Sequence, residues 1–287
     1  MSERRPIALS FDVEDWFCVR NMRQTIARED WDRCESRIRV GTDFILKELS
    51  LRNRTATFFI LGWIAERFPG LVREIASAGH EIGSHGYAHD PIDCLRPEEF
   101  ALDLSRSREV LRSLSRQPIA GFRAPSFSVT KKTWWALAEI ARQGFTYDSS
   151  IFPIRHPDYG IPDFPPGIQR IEGLIEVPMT ALRLRRFRVP VSGGGYFRVL
   201  PYGVSRRLVQ AASARQPVVL YFHPWEFDPD QPRQRMPGLK RFRHYTGLGR
   251  NREKFRRLLD SFPVEPIERS IRRWLPPEAP AYRMPSR

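Results

Sequence analysis

The chain has 287 residues, a formal charge of +14, 41% hydrophobic and 12% aromatic residues. This length supports one large domain or two small ones, and the composition excludes a disordered or fibrous chain. The charge is concentrated: Ala181 to Asp260 carries 18 Lys and Arg against 5 Asp and Glu, and the remainder is almost neutral. Such a region is either a solvated basic surface or a face for an anionic partner: acidic glycan, membrane headgroups or nucleic acid. Cys18, Cys34 and Cys94 form no CxxC pair, which fits a reducing compartment and argues against thiolate metal ligation. MSERRPIALSFDVED has no apolar signal core, and no run approaches the roughly 18 apolar residues of a membrane span. These features predict a soluble cytoplasmic protein.

In chain order, PIALSFDV (6–13) reads as a buried strand and 36–53 as a helix. TATFFILG (55–62) is a strand, 63–79 a helix closed by Gly79, and EIGSHG (81–86) a short strand. PEEFALDLSRSREVLRSL (97–114) is an amphipathic helix with Pro97 near its start. A strand at 119–126, a helix at 130–144 and a strand at 145–150 follow. Further strands are expected at 174–180 and 217–225, and helices at 202–216 and 251–262. This alternation implies parallel strands joined by helices, doubly wound or closed as a barrel. No repeat or low-complexity linker divides the chain, so 1–287 is expected to be one domain. SGGGYFR (192–198) lacks the ending of a phosphate-binding loop and is expected to be a tight loop lining a site.

Asp12, His85, Arg123, Asp148 and His223 all fall at or just beyond the C-terminal end of a predicted strand, the face on which an α/β barrel carries its chemistry. In SFDVEDWF, Asp12, Glu14 and Asp15 end an apolar strand; burying them requires a compensating cation or metal. SHGYAH places His85 and His89 four residues apart, and two neutral imidazoles with one carboxylate make a sound zinc set with open positions. Packing is the competing explanation for a lone His-x-x-x-His. Arg123 could pair with Asp12. His223 could act as a general acid if a carboxylate such as Asp148 orients it.

The ordered set FDVED, SHGYAH, FRAPS, YDSS and LYFHP resembles the five motifs of polysaccharide deacetylases, carbohydrate esterase family four, across about residues 6–226. The remaining 227–287 are expected to be an extension packed on the barrel. SFDVEDWF, DSSIFPIRHPDYGIP, SGGGYFRVLP and FHPWEFD are similar to an exosortase-associated branch from exopolysaccharide gene clusters. The resemblance implies a distorted (β/α)7 barrel and a divalent metal, usually Zn2+. By matching positions, it implies Asp12 as catalytic base, His85 and His89 as metal ligands, His223 as general acid, Arg123 tuning Asp12, and Asp148 supporting His223.

The family's first motif has adjacent aspartates, whereas here Val13 and Glu14 precede Asp15. Strand alternation puts Glu14 on the face of Asp12. A bulge would instead present Asp15, which keeps the aspartate and is the expected third ligand. The implied reaction is hydrolysis of an N-acetyl amide on an N-acetylated polysaccharide, with an oxyanion donor among the backbone N–H groups of Tyr87 to His89. Trp16, Tyr87, Pro125, Phe127, Tyr159, Tyr196 and Trp225 are candidate substrate contacts. The alternative is a small cyclic amide or ureide hydrolase of allantoinase type. Nucleic-acid binding is disfavoured because no recognition motif supports it. The basic region suggests contact with an anionic membrane at its inner face, tested by charge reversal at Arg185, Arg186 and Arg188.

Overall fold

β1 (Ile7–Val13) is buried along its whole length, as expected of a strand with parallel neighbours on both sides. The computed structural model describes residues 5–184, 187–275 and 282. The other strands are β2 (Thr57–Ile60), β3 (Glu81–Ser84), β4 (Gly121–Phe122), β5 (Tyr147–Asp148), β6 (Gln169–Ile171), β7 (Leu174–Glu176), β8 (Ala181–Leu184), β9 (Phe187–Pro190), β10 (Val219–Phe222) and β11 (Val264–Glu265). The main sheet runs β10-β1-β2-β3-β4-β5-β7-β6, with β11 also on β1. Every pairing in it is parallel except β6 on β7. With helices between successive strands, the sheet curls into the expected distorted α/β barrel.

The sheet ends at β6 on one side and β10 on the other, and hydroxyl groups of the segments following β7 and β9 bridge to β10. Val219 N–H donates to Thr180 Oγ1 (2.8 Å), Thr180 N–H to Ser192 Oγ (2.8 Å), and Ser192 Oγ to Val219 O. A separate antiparallel hairpin, β8–β9, projects beside this seam.

Alternation along β1 divides the core. Ile7, Leu9, Phe11 and Val13 pack into the large cluster that includes Phe58, Phe222 and Phe255. Ala8 packs with Phe59, Tyr147, Val219 and Tyr221. Asp12 shares that second face, so the acid points into the barrel.

The helices follow the sequence with local departures. The run expected at 63–79 is two helices, Gly62–Arg67 and Pro69–Ser77, because Pro69 pushes Phe68 out of helical geometry (φ −124°, ψ 57°). Pro97 opens a helix that runs to Ser115, and Arg116 closes it in a left-handed conformation (φ 56°). SGGGYFR is not a tight loop: Gly194–Val199 is a short helix entered through Gly193 at φ 108°. Any side chain at Gly194 would overlap the Glu226 carboxylate. Beyond residue 226, helices Gly238–Tyr245, Leu248–Ser261 and Ile267–Trp274 pack on the barrel. Residues 276–281 and 283–287 lie outside the described residues.

Candidate active site

β1 pairs without a bulge through Val13, each residue from Ser10 matched to one of Thr57–Ile60. A tight turn then follows, with Glu14 N–H donating to Asp12 O (3.1 Å). The three acids of FDVED part here. Asp12 Oδ1 accepts from Arg123 Nη1 at 2.7 Å. Glu14 Oε2 lies 2.7 Å from His89 Nε2. Asp15 turns away and accepts from Ser36 Oγ (2.5 Å), Trp16 N–H (2.9 Å) and Arg37 N–H (3.0 Å). The expectation of Asp15 as third ligand is therefore corrected: without a bulge, its carboxylate is consumed by the following loop. Burial pushes it up to about 6 despite those donors.

Glu14, His85 and His89 each offer a ligand atom within 4.8 Å of the others, and all three are buried. His85 Nδ1 meets Arg123 O at 2.8 Å, which directs Nε2 to the cluster in the manner of a ligating imidazole. Burial lowers His85 to about 4, keeping it neutral. Burial alone would raise Glu14, but His89, His223 and His85 outweigh it and lower it to about 2, keeping it anionic. Among the described residues, the buried His89 Nδ1 has no hydrogen-bond partner. His89 holds a left-handed backbone, φ 58°, a conformation that surrounding structure must enforce. Two buried imidazoles and an anionic carboxylate, with an orphaned ring nitrogen among them, fit a divalent cation.

Arg123 is fully buried and spans the barrel floor. Besides Asp12 it donates to Ser10 Oγ (2.8 Å), Ser149 O (3.0 Å) and Ser149 Oγ (3.1 Å), and its guanidinium lies 4.2 Å from the Phe59 ring centroid. Asp12 thus has one oxygen fixed by a cation and the other facing His223, whose Nε2 is 3.9 Å from Oδ2.

Asp148 does not support His223. It sits beside Glu176 in the β5–β7 register and accepts from Ser150 N–H and Oγ (3.1 and 2.6 Å). Burial raises both carboxyls, Glu176 the more because the Asp148 carboxylate adds to the rise. The carboxylate beside His223 is Glu226. Its Oε2 is 3.6 Å from His223 Nδ1 and accepts His223 N–H at 3.1 Å, while Oε1 accepts Arg198 Nε at 3.2 Å. Arg198 is in turn fixed by the carbonyls of Arg243, His244 and Thr246. Burial would lower His223, but Glu226, Glu14 and Asp12 outweigh it and raise it to about 9. The signal for Glu226 was present in the sequence: an acid three residues after the strand-ending His223 is the spacing of a capping box, and the short helix Pro224–Phe227 forms one.

Asp12, Glu14, His85, His89, His223 and Glu226 line the floor of a cavity of ≈ 600 Å³. Phe127, Tyr159, Tyr196 and Trp225 line it. Trp16, Tyr87 and Pro125 do not. Trp16 is buried with Nε1 on Glu35 O (3.0 Å). Tyr87 gives its hydroxyl to Glu66 (2.7 Å) under the Arg106 guanidinium. Pro125 is buried at the start of a short helical turn. Asp103 also takes the N–H groups of Tyr87 (2.9 Å) and Ala88 (3.2 Å), so neither can serve an oxyanion.

Residues 3–145 match the family model for polysaccharide deacetylase, and residues 149–272 match a domain of unknown function, DUF3473. The chain belongs to the polysaccharide deacetylase family. It is 40% identical over 86 residues to peptidoglycan-N-acetylglucosamine deacetylase of Bacillus cereus, covering 30% of this chain and 29% of that one. It is 32% identical over 126 residues to peptidoglycan deacetylase of Helicobacter pylori, covering 42% and 39%. The chain thus spans less than half the length of these two curated relatives. Among solved structures, a Mycobacterium smegmatis protein assigned as a polysaccharide deacetylase superposes with a TM-score of 0.67 at 21% identity, covering 100% and 96% of the two chains. A CE4 family pseudoenzyme from Bacillus anthracis superposes at 0.51, with 12% identity, covering 93% and 65%. The fold is shared across this group, so function must be argued from the site. Among the described residues no helix is long and apolar enough to cross a membrane.

Proposed function

We propose that the chain is a metal-dependent hydrolase removing N-acetyl groups from N-acetylhexosamine units of an exopolysaccharide or its precursor. One observation carries this reading: Glu14, His85 and His89 gather on one side of the cavity floor, with Asp12–Arg123 and His223–Glu226 facing them. A divalent cation held by Glu14, His85 and His89, Zn2+ being the one best suited to this donor set, would supply Lewis-acid polarisation of the amide carbonyl. Asp12, oriented by Arg123, accepts the proton of the attacking water. His223, held protonated by Glu226, delivers a proton to the departing nitrogen. The C–N bond breaks, and the products are acetate and a free amine. The named deacetylase relatives favour a glycan over the small cyclic amide. The basic C-terminal region supports work at an anionic membrane face, although Arg185 and Arg186 lie outside the described residues.

The test is bound metal and acetate release, measured together on N-acetylglucosamine oligomers. Wild type is expected to hold about one metal per chain through one such site. His85→Ala/His89→Ala is expected to lose metal and acetate release together. Folded wild-type protein that takes up no metal would overturn the mechanism.

A further inference from the structure

The cavity has two unlike ends. Its floor carries the acids and histidines, but its outer end is walled by Val189, Val199, Leu200, Leu239 and Phe242, with Arg243 among them. Val199, Leu239 and Phe242 are 48%, 64% and 52% exposed. They lie on two helices, Gly194–Val199 and Gly238–Tyr245, which are anchored by buried Phe197, Arg198, His244 and Tyr245. A contiguous apolar patch held in water beside a cavity marks a binding surface. A sugar does not account for this patch: its ring uses hydrogen bonds and flat aromatic faces, which the inner part of the cavity supplies through Tyr159, Tyr196 and Trp225. Aliphatic side chains gain only from an apolar partner. Among the described residues Arg243 has no carboxylate at ion-pair distance, whereas Arg20 on the same cavity wall is paired with Asp158 at 3.5 Å. An unpaired guanidinium between apolar side chains suits a phosphate that carries an apolar chain.

We propose that this end of the cavity binds a long apolar chain joined through phosphate or diphosphate to the N-acetylated sugar. The chain lies against Val199, Leu239 and Phe242, the phosphate against Arg243, and the sugar reaches inward to Asp12 and His223. The proposal rests on the deacetylase reading only for the sugar end. Arg243 lines a concave wall together with the apolar residues, which favours a ligand inside the cavity over a bilayer laid against a flat surface.

The test is calorimetric titration of the full chain with farnesyl diphosphate, which has the chain and the phosphates but no sugar. Saturable binding is expected, at least about tenfold tighter than inorganic diphosphate or farnesol alone, since each lacks one half of the contact. Leu239→Ser/Phe242→Ser is expected to weaken it by about 100-fold, from about tenfold per apolar side chain. Arg243→Gln should weaken farnesyl diphosphate about tenfold and leave farnesol unchanged. Leu239→Met/Phe242→Leu keeps the apolar wall and should retain binding, which separates a lost contact from a damaged fold. No saturation, equal affinity for inorganic diphosphate, or undiminished binding by the Ser/Ser variant would overturn the proposal. Phosphatidylglycerol vesicles that bind equally well and displace farnesyl diphosphate would overturn it in favour of surface docking. Acetate release from N-acetylglucosamine oligomers is assayed separately. Absence of both acetate release and bound metal, alongside farnesyl diphosphate binding, would sink the deacetylase reading and leave this one standing.

Discussion

Replacing Glu226 by Gln should displace the alkaline limb of the pH–rate profile, and the structure sets the size of the effect. Gln keeps the shape and the acceptor for Arg198, but removes a full charge 3.6 Å from His223 Nδ1. At that separation two unit charges attract by about 4–5 kcal/mol at an effective dielectric of about 20, which bounds the effect; a neighbouring opposite charge in proteins typically moves a pKa by about 1–3 units. His223, raised to about 9 in wild type, should then titrate at lower pH, nearer its ordinary range. A general acid must be protonated, so kcat/KM should begin to fall at correspondingly lower pH, with its acid limb unmoved. Wild type, Glu226→Gln and Glu226→Asp would be compared on N-acetylglucosamine oligomers across the pH range, in metal-loaded protein. The Asp variant keeps the charge and should keep the limb. Equal loss of rate at every pH in the Gln variant, with no displaced limb, would refute the argument and leave Glu226 as packing. The sign for stability is consistent: the raised His223 contributes fully below its ordinary value of 6.5, and the contribution is lost as pH rises through about 9.

Other expectations concern the same floor. Glu14→Gln should abolish stoichiometric metal binding, whereas Asp15→Asn should retain it; equilibrium dialysis with metal analysis checks both, and the reverse order would restore Asp15 as ligand. Arg123→Met leaves Asp12 buried without its cation, and urea unfolding should show a loss of about 3–5 kcal/mol. Gly194→Ala forces the Glu226 carboxylate aside; it should lower the melting temperature, with a loss of about 1–3 kcal/mol as for overpacked cores, and reduce kcat/KM.

The parts of the fold that were legible in the sequence are those with long-period signals. β1, β2, the helix at 97–115 and the strand before His223 were placed within a few residues, because apolar runs and a proline cap define them locally. The strands after residue 119 came out shorter than read: FRAPS leaves the sheet after Phe122, and YDSS after Asp148. The choice between Glu14 and Asp15 depended on whether the strand bulged, which is decided by pairing with β2 and by the donors of Ser36 and Arg37, some twenty residues away. Asp148 was misassigned for a similar reason, since its partner Glu176 arrives from the next paired strand. Glu226 was within reach of local reasoning, through its spacing of three residues from His223. The aromatic residues show the limit of proximity in sequence: Trp16 neighbours the carboxylates along the chain yet packs in the core, whereas Tyr196 comes to the cavity from a helix of its own.

The hydroxyl bridge across the seam has a mechanical consequence. Elsewhere around the barrel, separating neighbouring strands means breaking a ladder of backbone bonds. Between the segment after β7 and β10 it means breaking side-chain contacts, those of Thr180 and Ser192 with Val219 and of Gln216 with Ala181. This joint, beside the β8–β9 hairpin, is thus held by side-chain hydroxyls, while β1, with Asp12, is clamped by backbone pairing between β2 and β10.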